Sequence, residues 1–74
     1  MKIVHVTDER WFLGVWETYH VVFEGREKWY PHMNEWCIGN ARGLWQAYHY
    51  GVSPYNRMIF QYMDDAVAFQ MTFA

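Results

Sequence analysis

The sequence predicts an α+β domain: a small, mostly antiparallel sheet with two short helices, in the order β-β-α-β-β-α. Three observations point there. Several short runs alternate apolar and polar residues with the period of two that a half-buried strand requires. Two of those runs flank the turn-forming "VSPYN", which makes them a hairpin. Two other segments open with residues suited to helix starts, Pro31 in one and Asp64 with Asp65 in the other.

The first strand is expected over residues 2–6, where "KIVHV" is rich in β-branched residues and is followed by the polar "TDER". The second runs from Val15 to Phe23, with Tyr19, Val21 and Phe23 on one face and Thr18, His20 and Val22 on the other. "EGRE" then turns the chain, since Gly25 adopts positive φ at little steric cost. A short helix is expected over 31–38. Pro31 is tolerated in its first turn, and Gly39 with Asn40 stops it. Met33, Trp36 and Cys37, spaced i, i+3, i+4, form its inward face.

In the third strand, Leu44, Gln46, Tyr48 and Tyr50 alternate with Trp45, Ala47 and His49. In the fourth, Met58, Phe60 and Tyr62 alternate with Arg57, Ile59 and Gln61. Asp64 is placed as the cap of a final helix over Ala66 to Phe73, with Asp65 favourable at the positive end of the helix dipole. Phe69, Met71 and Phe73 also alternate, so an edge strand after a shorter helical turn competes with the helix there. The expected core is Val4, Val6, Val21, Phe23, Met33, Trp36, Cys37, Leu44, Ile59, Phe60, Val67 and Phe69.

At 74 residues there is room for one unit, 1–74, and a domain of this size buries only about 60% of the surface its unfolded chain exposes. Five Trp, six Tyr and five Phe make 22% of the chain, so its apolar content is concentrated in large rings. Rings build a core from few side chains, each removing about 150–250 Å² from water when fully buried. A domain this small cannot hide all of them, and the remainder is expected to mark a contact with a partner or with a second copy in a homodimer.

The single cysteine, Cys37, rules out an internal disulfide framework and suits a reducing compartment such as the cytoplasm. No run approaches the length of a membrane span. Thr7, Asp8, Glu9 and Arg10 fall where a signal peptide needs its apolar stretch. A formal charge of −2, without basic or acidic runs, selects no partner by electrostatics.

The second half carries "NEWCIGN", an aromatic hairpin and then "MDDAVAFQMTF". It resembles a loose class of short tailed-bacteriophage proteins in which a Trp-Cys pair ends a short helix and an acidic pair leads "AVAF" into the last element. The matching residues are Trp36, Cys37, Gly39, Trp45, Asp64, Asp65, Ala66, Val67, Ala68 and Phe69, within residues 34 to 73. The resemblance implies a source and a lifestyle rather than a reaction: an infected bacterial cytoplasm, or a minor component of the virion.

No catalytic or cofactor motif stands out. Cys37 with His5, His20, His32 and His49 is the only metal-like set, and it lacks the paired short spacings of a structural zinc site, so no metal is expected. Cys37 with His49 lacks an oxyanion-hole turn, and a thiol beside a core Trp is inert. Adjacent carboxylates at a helix start point in different directions, so Asp64 and Asp65 suit capping better than paired acid–base chemistry.

Trp45, Tyr48, Tyr50, Tyr55 and Tyr62 are the candidate partner-binding residues, with Trp45 and Ile59 expected on one hairpin face and Tyr48, Tyr50 and Tyr62 on the other. Stacking of single-stranded bases by these rings is the second reading, weakened because only Arg42 and Arg57 lie nearby to hold phosphates. The leading expectation is a non-catalytic phage-type accessory protein that binds and modulates a host or phage protein. The single-stranded nucleic-acid binder is second and a small enzyme third.

Overall fold

The computed structural model describes residues 1–7, 14–24, 30–49 and 55–73. Its elements follow the predicted order: β1 Lys2–Thr7, β2 Glu17–Glu24, α1 Tyr30–Asn40, β3 Trp45–His49, β4 Tyr55–Phe60 and α2 Met63–Phe73. The sheet runs β1-β2-β4-β3 and every neighbouring pair is antiparallel, which makes this the α+β fold the sequence predicts. The turns expected at "EGRE" and "VSPYN", Tyr50, and the side chains of His49 and Tyr55 lie outside the described residues.

Cross-strand partners share a face, so register assigns every strand residue to one of two sides. His5 pairs with Tyr19 and Ile3 with Val21 across β1 and β2. Tyr19 pairs with Phe60 and Val21 with Met58 across β2 and β4. Trp45 and Ala47 of β3 pair with Phe60 and Met58. These residues form the side on which both helices pack. There Val21, Phe23, Met58 and Phe60 join Met33 and Cys37 of α1 and Ala66 and Phe69 of α2 in one buried cluster.

Phe69 is the hub of that cluster. It is fully buried, and its ring centroid lies 5.4 Å from that of Phe60, 5.6 Å from Trp36, 6.3 Å from Phe23 and 4.7 Å from Phe73. The tilted and edge-on arrangements are those the ring quadrupole favours.

The opposite face differs from a simple solvated side. Thr18, His20 and Ile59 lie on it and are also shut off from solvent, at 1%, 0% and 0% exposure. β2 is a central strand, between β1 and β4, and it is buried on both faces rather than half-buried as its alternation predicts. It also starts two residues later than expected: Val15 and Trp16 sit in a bend that follows Gly14, whose φ of +73° is a conformation natural only to glycine.

Helix boundaries shift for identifiable reasons. α1 continues through Gly39 to Asn40, whose side-chain amide donates to the Trp36 carbonyl at 2.9 Å. The Ala41 N–H then closes on the Cys37 carbonyl at 3.0 Å. Asn40 supplies the terminal hydrogen bond, so Gly39 does not have to end the helix.

The final segment is helical from Met63, which overturns the competing edge strand. Helical spacing puts Ala66, Phe69 and Phe73 on one side and leaves Met71 78% exposed, so the alternation of Phe69, Met71 and Phe73 is incidental. The earlier start also places Asp64 inside the first turn, exposed, rather than at the cap.

Within the expected core, Val21, Phe23, Met33, Cys37, Ile59, Phe60 and Phe69 are buried, and Val4, Val6, Trp36 and Val67 are half-buried. Leu44 is 53% exposed. It precedes β3, and its backbone makes the packing-relevant contacts: its N–H donates to Gln61 Oε1 at 3.1 Å and its carbonyl accepts from the Gln61 N–H at 2.9 Å. Met58 and Ala66 fill the core positions that the sequence reading left out.

Candidate functional site

An open cleft of about 470 Å³ lies at the end of the sheet where β2 begins and β4 passes into α2. Trp16, Glu17 and Tyr19 line it from the β2 side, and Gln61, Tyr62 and Met63 from the other. Trp16 is 58% exposed, Tyr62 49% and Met63 53%. Large apolar side chains left this open in one concave place are what interaction surfaces display.

Each wall is positioned by a local feature. On one side, the Gly14 bend delivers Trp16 outside the strand, before β2 carries Glu17 and Tyr19 along the helix-packed face. On the other side, Asp65 organises the chain. It is 4% exposed, and its Oδ2 accepts from the N–H groups of Arg42 and Gly43 at 3.0 Å each. That pair of charge-assisted bonds ties the start of α2 to the turn before β3. Gly43 then leaves room for the Tyr62 ring. A Cβ at residue 43 would come within 2.7 Å of Tyr62 Cδ2 and Cε2 and 2.9 Å of Gln61 Oε1.

Among the described lining residues, the charge is acidic. Glu17 supplies a carboxylate that is largely exposed and lies 3.8 Å from His5 Nε2, an ion pair only when the imidazole is protonated. His5 stacks on the Tyr19 ring, centroids 4.7 Å apart and planes 7° from parallel. Among the described residues, no lysine or arginine lines it. Asp64 is exposed beside Met63, and Arg42, exposed in the turn that Asp65 holds, does not line the cleft.

A second polar group sits on the face away from the helices. His20 Nδ1 lies 3.1 Å from an Arg57 guanidinium nitrogen, and its Nε2 lies 2.9 Å from Thr18 Oγ1. Guanidinium only donates, so Nδ1 accepts and the neutral ring donates from Nε2 to the hydroxyl. Burial, reinforced by the neighbouring Arg57 charge, lowers the His20 pKa from 6.5 to about 4. This buried network replaces the ordinary strand or surface position expected for His20. The sequence offers only the alternating polar pair Thr18 and His20 as a signal, which by itself reads as a solvated strand face.

Cys37 is buried, and desolvation, with the Asp65 charge adding to it, pushes the thiol up to about 12. It is a protonated core side chain at neutral pH. Among the described residues, no three His, Cys, Asp or Glu side chains gather in a group that could hold a metal ion. No helix among them is long and apolar enough to cross a membrane.

Of the residues the sequence singled out for partner binding, three have described side chains. Trp45 is half-buried on the helix side, packed against the core. Tyr48 is half-buried on the opposite side, in register with Arg57. Tyr62 lies beyond the end of β4, in the cleft. The expected facial grouping is therefore corrected: Trp45 pairs with Phe60, whereas Ile59 pairs with Gln46 on the other side. The sequence pattern predicts one continuous alternation through Tyr62, but β4 ends at Phe60 and the period is lost there. Tyr62 instead lines the same cleft as Trp16, a ring that no strand period points to.

Neither a family model, nor a curated protein, nor a solved structure matches the chain. The reading of the site therefore rests on its own chemistry. Among the described residues, it offers aromatic and thioether surface and one carboxylate.

Proposed function

We propose that the chain is a small, non-catalytic binding domain that holds a protein partner at the cleft between the start of β2 and the start of α2. One observation carries this reading: Trp16, Tyr62 and Met63, each about half exposed or more, converge on a single cleft. Trp and Tyr are the side chains that most often anchor protein interfaces, and Met adapts to irregular partner surfaces. The resemblance to short tailed-phage proteins supports a host or phage protein as the partner, with its activity altered by the contact, in a bacterial cytoplasm. The alternative of a single-stranded nucleic-acid binder is disfavoured here, because a stacking platform works with a positive groove and this cleft is lined by Glu17.

The test is affinity capture from bacterial lysate with the wild-type chain and with Trp16→Ala and Tyr62→Ala variants whose circular dichroism matches wild type. A protein retained by the wild type and lost from both variants is the expected result. A partner retained equally by all three removes the cleft from the interface. A second copy of the chain is the competing occupant, and light scattering on the purified protein distinguishes it: a dimer that both substitutions dissociate would replace the foreign partner.

A further inference from the structure

The cleft combines two features that together define a ligand chemistry. Trp16, Tyr19 and Tyr62 line it, and among the described residues the one charged lining group is the carboxylate of Glu17. An aromatic face attracts a cation through the negative potential above its ring, most strongly for Trp and then Tyr, and a carboxylate at the same place completes the charge match. A purely apolar anchor would gain nothing from Glu17, and would have to strip water from it at a cost. An acidic anchor would be repelled by Glu17 and by Asp64 beside Met63.

Building on the reading of the cleft as a protein-contact surface, we propose that its occupant is a basic side chain, a lysine or arginine, projecting from the partner. The long apolar stem of such a residue lies along Met63 and the ring faces, while its charged end reaches Glu17. The position of Glu17 serves this. It opens β2 on the same strand face as Tyr19, two residues on, so carboxylate and ring present to one opening. His5 Nε2 lies 3.8 Å from the same carboxylate, on the β1 side. The network of Thr18, His20 and Arg57 lies on the other face of the sheet and contributes no lining residue.

The experiment is an NMR titration of the intact chain with three capped tripeptides, acetyl-glycyl-X-glycyl-amide, in which X is arginine, lysine or the uncharged norleucine. Expected are shifts of the Trp16 indole N–H and the Tyr62 ring with the arginine or lysine peptide, and binding about tenfold weaker or absent with norleucine. The arms also show which cation is preferred. Glu17→Gln, at an exposed position that leaves the fold intact, should weaken the cationic peptides severalfold without changing the norleucine result.

Equal shifts with norleucine, or an unchanged affinity in Glu17→Gln, would overturn the cationic occupant while leaving an apolar contact surface in place. No response at Trp16 or Tyr62 to any of the three, together with undiminished partner capture by the Trp16→Ala and Tyr62→Ala variants, would remove the contact surface as well.

Discussion

The carboxylate of Asp65 and the backbone N–H of Gly43 meet at 3.0 Å, and that one hydrogen bond joins the first turn of α2 to the turn entering β3. The same oxygen takes the N–H of Arg42, so two main-chain donors of that turn are satisfied by a side chain 22 and 23 residues away. Gly43 in turn borders the Tyr62 ring, so the helix start, the turn and one wall of the cleft form a single mechanical unit.

Removing that carboxylate should be expensive. Asp65→Ala deletes two hydrogen bonds to a charged acceptor and leaves two partly buried N–H groups without it, which is expected to cost about 2–4 kcal/mol. Asp65→Asn keeps an acceptor oxygen and should lose roughly half as much. Urea midpoints for the two variants check this, and equal losses would show that charge and acceptor geometry do not separate at this site.

Gly43→Ala tests the space rather than the bond. The new methyl group meets the Tyr62 ring and Gln61 Oε1, and the outward swing of an exposed ring is the cheapest relief. A destabilisation of about 1 kcal/mol is expected, at the low end for overpacking. It should be accompanied by changed chemical shifts of the Tyr62 ring and of Trp16. Unchanged shifts at both would show that the cleft wall does not depend on residue 43.

Phe69→Ala should be the most damaging of the core truncations, at about 3–5 kcal/mol, because its ring touches both helices and the sheet. A small domain has roughly 5 kcal/mol to lose, so this variant should be largely unfolded by circular dichroism. Trp36→Ala removes a larger ring that is only half-buried, and should cost less than Phe69→Ala. The reverse order would place the hub of the core in α1.

Stability should fall in mild acid because of His20. Its pKa is 6.5 unfolded and about 4 folded, so both states hold it neutral above 6.5 and only the unfolded chain takes up a proton between those values. The His20 contribution is thus fully present above pH 6.5 and progressively lost down to pH 4, on the order of 3 kcal/mol in all. Urea midpoints measured across that window should slope downward for the wild type and be flatter for His20→Gln. Parallel slopes would assign the acid sensitivity to other groups.

Element type and order were legible in the sequence because they depend on local periodicity and turn chemistry. The strands at "KIVHV" and "YHVVF", the antiparallel pair β3 and β4, the Pro31 helix with Met33 and Cys37 inward, and a final helix around Asp64 to Phe73 all follow from residues within a few positions of one another. The need for exposed rings was also legible, since it follows from chain length and composition.

Which rings are exposed, and what surrounds them, was decided only by the tertiary structure. Thr18 and His20 are buried on the face away from the helices, and β4 pairs with β2, neither of which a local pattern encodes. Asp65 stands in the first turn of α2, as its helix-dipole role requires, and is also a clamp because a turn 22 residues earlier in the chain comes to lie against it. Trp16 and Tyr62 sit 46 positions apart, each just outside a strand where the period of two no longer applies. Period-based reading finds faces within an element, whereas this cleft is made by element ends, and ends are brought together only by long-range sheet register and helix packing.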